Sequence, residues 1–114
     1  MEIKEAILDI ELSLVKDFLA SFDLRYESDI DKTLYIEENG KIIATVSKAK
    51  DIIKCLAISS SHQSENLSSI LISKIIEKMH ANGRTVNCWT VDNPQEAERL
   101  VAMGVDYITT DILE

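Results

Sequence analysis

The stretch that decides the fold reads Ile52-Ile53-Lys54-Cys55-Leu56-Ala57-Ile58, then Ser59-Ser60-Ser61-His62-Gln63-Ser64-Glu65, then Asn66-Leu67-Ser68-Ser69-Ile70-Leu71. The first part is a short apolar run bounded by polar residues, which predicts a central strand. The segment from Ser59 to Glu65 is polar and reads as a loop. From about Ser64 to Ala81, Leu67, Ile70, Leu71, Ile75, Ile76 and Met79 recur at helical spacing, so one helix face is expected to be buried. Gly83 is placed to end that helix.

Upstream, Thr33 to Glu37 reads as a strand, Glu38-Asn39-Gly40 as a turn and Lys41 to Ser47 as the returning strand. Asn-Gly favours a tight hairpin because both residues tolerate positive φ. With Ile52 to Ile58 these strands make an antiparallel meander. Before them, Leu12, Val15, Leu19 and Phe22 mark a helix with Asp9 as its expected N-cap, and Ile3 to Leu8 is a strand or the lead into that helix. Downstream, Thr85 to Val91 reads as a strand. Asn93-Pro94-Gln95-Glu96 opens a helix with a cap, a proline in the first turn and a capping-box acid. Ala97, Leu100 and Val101 are its expected buried face, Gly104 stops it, and Val105 to Thr109 makes the last strand. The predicted order is β, α, three strands, α, β, α, β.

With 114 residues the chain suits one domain, 1–114, and is too short for two. It carries 20 acids against 12 bases, a net charge of −8, which argues against a general nucleic-acid grip or an anionic-lipid surface. No apolar run approaches membrane-spanning length, and Met1-Glu2-Ile3-Lys4-Glu5 lacks the basic start of a signal peptide, so a cytoplasmic protein is expected. Cys55 and Cys88 lie far apart in apolar runs and read as core thiols rather than a zinc site or disulfide. Neither pairs by sequence logic with His62 or His80, and His80 is expected to interact with a helix C-terminus. Asp29, Asp31, Asp51, Asp92, Asp106 and Asp111 are scattered without metal-ligand spacing, so no metal is expected. Trp89 reads as a packing or interface anchor on its strand, and homodimerisation through a sheet edge is a further expectation.

Val15-Lys16-Asp17-Phe18-Leu19, Lys41-Ile42-Ile43-Ala44-Thr45 and Lys54-Cys55-Leu56-Ala57-Ile58, with the loop His62-Gln63-Ser64-Glu65-Asn66-Leu67-Ser68, carry a resemblance over residues 3–78. They resemble the N-terminal GNAT-like domain of the citrate lyase ligase family. The resemblance implies a single GNAT-like α/β domain, a central mixed sheet of antiparallel meander and C-terminal strands packed by helices. It also implies acetyl-CoA as ligand. Leu56, Ala57 and Ile58 would offer backbone to the pantetheine arm, and Gln63, Ser64, Glu65, Asn66, Leu67 and Ser68 would lie along the diphosphate. The family pattern there is Gln or Arg, two residues, Gly, one residue, then Gly or Ala. Gln63 fits, whereas Asn66 and Ser68 replace the small residues, which weakens the expected approach of phosphate to backbone. The family's ATP-using chemistry belongs to a separate domain with no counterpart here. No general base is evident, and at Leu100, near where GNAT enzymes often place an aromatic acid, there is no proton donor.

Residues 84–114 carry a second resemblance. Val86-Asn87-Cys88-Trp89-Thr90-Val91-Asp92 and Gly104-Val105-Asp106-Tyr107-Ile108-Thr109-Thr110-Asp111 resemble the last strand-helix-strand of glycerophosphodiester phosphodiesterases, which are TIM-barrel enzymes. The residues those enzymes use for metal and catalysis lie in earlier strands for which nothing corresponds, so phosphodiesterase activity is not expected. Asn93, before the helix, and Gly104, after it, suit both families, and Asn93 would border the cofactor in the GNAT reading. Together the resemblances imply a hybrid: an acyl-CoA-binding module with weak or no acetyl transfer, or else a folded scaffold without a ligand. Uniform similarity of one natural protein to the whole chain would count against a hybrid.

Overall fold

A computed structural model of the chain describes residues 2–89 and 94–109, with the backbone alone for residues 55, 63–65, 88–89, 94–97 and 107–109. The elements are β1 (Ile3–Glu5), α1 (Asp9–Ala20), β2 (Lys32–Glu38), β3 (Lys41–Ala49), β4 (Ile52–Ile58), a 3-10 helix (Ser60–Glu65), α2 (Leu67–Ala81), β5 (Asn87–Trp89), α3 (Pro94–Ala102) and β6 (Tyr107–Thr109). They form one six-stranded sheet in the order β1-β2-β3-β4-β5-β6. The first three pairings are antiparallel and the last two, across α2 and α3, are parallel. The expected mixed α/β architecture is present. The sheet is open, with β1 and β6 at its edges, and is not a barrel.

The hairpin forms where Asn-Gly predicts it: Asn39 and Gly40 take φ 54° and 79°, the paired positive angles of a tight turn. Strand alternation then separates two layers. Leu34, Ile36, Val46 and Ile53 face α2, whose Leu67, Leu71, Ile75 and Met79 are buried against them together with Val86, Leu100 and Val105. On the other face Tyr35 and Ala57 pack with Val15 and Leu19 of α1. That second layer is partly polar. Thr33, Thr45 and Ser47 are buried, and Thr33 Oγ1 lies 3.0 Å from the Tyr26 hydroxyl and 2.9 Å from Ser47 Oγ, so the hydroxyls satisfy one another.

Several expected details are corrected. Asp9 is the first residue of α1 rather than its cap; the Leu8 position caps it, and Glu11 Oε1 accepts from the Leu8 and Ile7 N–H groups at 3.0 and 3.3 Å. A carboxylate three residues into the helix therefore does the work assigned to Asp9. Leu12 and Phe22 are only partly buried against the second core. In α2, Leu67, Leu71, Ile75, Ile76 and Met79 are buried as expected, but Ile70 at the edge of the stripe is 42 % exposed and Ile72 on its other edge is buried. Val101 of α3 is exposed, so Leu100 alone carries the described part of that face. Asn93, Thr90, Val91, Asp92 and Asp111 lie outside the described residues, as do the side chains of Cys55, Cys88, Trp89 and Ala97.

His80 is tied by a specific partner rather than by its helix end alone. Its Nε2 lies 3.0 Å from Asp106 Oδ2, which also accepts from Val86 N–H at 2.7 Å. One carboxylate thus links the end of α2, the approach to β5 and the approach to β6. The His80 imidazole, then the Val86 N–H, hold the Asp106 carboxyl below its ordinary value. A depressed carboxyl contributes stability that is present above its unfolded value, about 3.9, and is lost as pH falls through the folded one. Asp106→Asn is expected to lower the melting temperature at pH 7 and to flatten its dependence on pH below about 4. Identical melting curves for both proteins from pH 7 to pH 3 would rule out the clamp.

Candidate functional site

The site begins with a break in the sheet. Thr45 of β3 pairs with Ala57 and Ser47 pairs with Lys54, so the single residue Val46 faces both Cys55 and Leu56. That extra residue is a β-bulge, which bends β4 and takes Cys55 and Leu56 out of the regular ladder. On its other side Ile52 and Ile53 of β4 pair with Asn87 and Cys88 of β5. The bulge lies toward the carboxyl end of β4, where open α/β sheets place ligands.

A cavity of about 380 Å³ lies against this end of β4, lined among the described residues by Phe22, Leu56, Ala57, Ile58 and Ser68. Leu56, Ala57, Ile58 and Ser68 belong to the set marked in the sequence. Phe22 was marked only as a core residue; it follows α1 and reaches the cavity because α1 crosses the same face of the sheet, with Phe18 at 5.1 Å between ring centroids. No sequence signal reveals the bulge itself, which only the pairing of β3 with β4 makes visible.

The chain then turns sharply into α2. The segment read as a loop is a 3-10 helix, Ser60–Glu65, and α2 starts at Leu67, later than the periodicity suggests. Gln63, Ser64 and Glu65 lie in that 3-10 turn, and their side chains fall outside the described residues, as does Asn93. Between the two helices Asn66 adopts φ 60°, ψ 27°. This is the left-handed conformation that glycine takes most easily and that asparagine tolerates better than most residues. An asparagine thus makes the left-handed corner at the position where the sequence resemblance expects a glycine. Ser68, in the first turn of α2, borders the cavity, whereas Leu67 is buried in the core.

The charged groups around the site are mostly engaged. Lys54, next to the bulge, binds Asp29 at 3.2 Å and Glu27 at 3.4 Å; burial depresses its ammonium, but those two carboxylates outweigh it and raise the value overall. Tyr35 donates to Glu11 Oε2 at 2.5 Å, and this bond, with burial and the nearby carboxylates, pushes the phenol up to about 12. Glu11 is lowered in turn, first by Tyr35 and then by the Leu8 and Ile7 N–H groups. Among the described residues no three of His, Cys, Asp or Glu stand close enough to hold a metal ion, and no helix is long and apolar enough to cross a membrane.

A sequence profile of the glycerophosphoryl diester phosphodiesterase family matches residues 5–114, far beyond residues 84–114 on which the sequence resemblance rests. Among solved structures, an aminoglycoside acetyltransferase from an uncultured soil metagenomic sample superposes with a TM-score of 0.62 at 20 % identity, covering 100 % of this chain and 96 % of the other. That likeness establishes the GNAT-like fold. No curated protein matches the chain.

Proposed function

We propose that this chain, which belongs to the glycerophosphoryl diester phosphodiesterase family by sequence and has a GNAT-like fold, is an acyl-CoA-binding module with weak or no acyl transfer. The observation that carries the reading is the bulged end of β4 with a cavity against it. A pantetheine arm is a slender chain of amides, suited to a cavity beside a bulged strand whose backbone groups would supply hydrogen bonds. The first turn of α2, with its unsatisfied N–H groups, would face the diphosphate. Asn66 keeps the corner but sets a Cβ and an amide where the family loop has none, which weakens close approach of phosphate to backbone. The sequence likeness to the citrate lyase ligase N-terminal domain supports the same ligand. Asn93 and the run from Gln63 to Ser68 are proposed to border it.

Transfer to an amine also requires a group that removes a proton. Among the described lining residues, Phe22, Leu56, Ala57, Ile58 and Ser68 include no ready base at neutral pH, which is the support for proposing weak transfer. A second reading is a hybrid that binds nothing, in which a phosphodiesterase-like sequence adopts an acetyltransferase-like sheet; the family match over residues 5–114 is compatible with it but does not single out residues 84–114.

Millimolar acetyl-CoA is expected to raise the melting temperature, with free CoA as the control. Saturation a hundredfold over the dissociation constant corresponds to about 2.7 kcal/mol. Asn66→Gly opens the corner while keeping its positive φ, so it is expected to enlarge that shift by several degrees. An unchanged melting curve in both proteins at millimolar ligand favours the ligand-free hybrid.

A further inference from the structure

Helix α1 is apolar on two sides. Val15 and Leu19 are buried against Tyr35 and Ala57 of the sheet, and among the described residues α1 is the only helix in this second core. Ile10 and Leu14, one turn apart, share a different side of α1 and are 69 and 48 % exposed. Ile7 and Leu8, which lead into the helix, are 69 and 63 % exposed. Single aliphatic residues in water are ordinary. These four fall close together and leave on the order of a few hundred Å² of apolar surface, the size at which such patches mark partners.

The charges around the patch decide what would cover it. Asp9 stands next to Ile10 in the chain and Asp17 follows Leu14 by one turn; both are exposed, and neither meets a described cation. Lys16, the one basic residue of α1, is held over the Tyr26 ring at 5.5 Å. The patch is thus apolar with an acidic border, on a chain of net charge −8. A second copy would bring its own Asp9 and Asp17 to that border, where like charges repel. The complementary surface carries cations beside apolar anchors. A helix surface packs well against another helix, ridges into grooves, and a helix laid beside α1 would extend the layer that α1 begins on this face of the sheet. We propose that the side of α1 carrying Ile10 and Leu14 docks a basic amphipathic helix of a partner protein. Its aliphatic side chains would cover Ile7, Ile10 and Leu14, and its Lys or Arg side chains would meet Asp9 and Asp17. The apolar anchors supply most of the affinity, and the charges at the rim orient the partner.

The test uses the whole chain without CoA, so it is independent of the cofactor reading. The probe is a fluorescein-labelled peptide of about 14 residues, leucine and lysine only, with its leucines at i, i+3, i+4 and i+7 on one helix face. One control peptide has the same composition shuffled so that no apolar face forms, and another has glutamate in place of lysine. Fluorescence anisotropy at about 0.15 M salt is expected to show saturable binding of the patterned basic peptide. Both controls are expected to bind at least about tenfold more weakly. Ile10→Ser combined with Leu14→Ser leaves the charge unchanged and, at exposed positions, the melting temperature as well; it is expected to weaken binding by about tenfold or more. Asp9→Asn with Asp17→Asn is expected to weaken binding severalfold and to reduce its dependence on salt. No saturable binding of the patterned peptide, equal binding of the shuffled one, or equal affinity of wild type and the Ile10→Ser/Leu14→Ser variant would overturn the proposal. A wild-type dimer in sedimentation velocity that the same double variant converts to monomer would overturn it too, because a second copy would then occupy the patch.

Discussion

Leu71→Ala is expected to lower the unfolding free energy by about 3 kcal/mol. Leu71 is fully buried in α2, in the cluster that contains Leu34, Ile36, Val46 and Ile53 of the sheet. Truncation removes favourable burial and leaves a void on the sheet side, where hydrogen-bonded strands resist collapse. The measurement is a urea titration, in which the midpoint falls with no change in slope. Ile70→Ala, one residue earlier and 42 % exposed, should stay within about 0.5 kcal/mol of wild type. Equal losses at the two positions would mean that α2 is rotated from the orientation described. That orientation matters to the site, because it presents Ser68 to the cavity and keeps Leu67 out of it.

Asp31→Ala is the second large effect. Lys48 on β3 has a side chain only 6 % exposed, and its ammonium meets Asp31 Oδ1 at 2.5 Å and the Lys50 carbonyl at 3.2 Å. The other Asp31 oxygen accepts from Lys50 N–H at 2.7 Å, at a residue held at φ 54°. One carboxylate thus neutralises a buried cation and pins the strained turn between β3 and β4. Its removal strands the ammonium, and a loss of about 2 kcal/mol is expected. This lies below the cost of a fully buried pair because the Asp31 side chain is 42 % exposed and water can approach the vacated place.

Burial pushes the Asp31 carboxyl upward, but the bonds from Lys48 and the Lys50 N–H outweigh it and leave the value lowered. Its contribution is therefore complete above the unfolded carboxylate value, about 3.9, and is lost as pH falls through the folded one. Asp31→Asn should flatten the acid limb of the stability curve, and Lys48→Met in the Asp31→Ala background should recover much of the loss. If Asp31→Ala melts with wild type at pH 7, the pair contributes nothing. The bulge of β4 beside the cavity depends on this neighbourhood, since the β3–β4 turn sets the register in which it occurs.

The element order, the hairpin and most of the buried face of α2 can be read from the amino-acid order alone. Each rests on local periodicity or on a residue with a backbone preference: Asn39-Gly40 at the turn, Leu67 to Met79 on α2, and Ile52 to Ile58 as a strand of just those bounds. It also marked Leu56, Ala57, Ile58 and Ser68, which do line one cavity. Its errors at Asp9, Ile70 and Val101 are errors of a residue or less around a helix. They arise because intermediate helical positions carry apolar residues whether or not a neighbour covers them. Only the tertiary structure decided the features that make a site. The bulge at Cys55 and Leu56 is a relation between β4 and β3, which meet only through the hairpin register. That Ile10 and Leu14 stay in water while Val15 and Leu19 are buried depends on which side of α1 meets the sheet. Local preferences act through a residue's own backbone and nearest turn, so they are written in neighbouring letters. Strand register and convergent side chains depend on contacts between distant segments, and those are settled only when the whole sheet closes around its core.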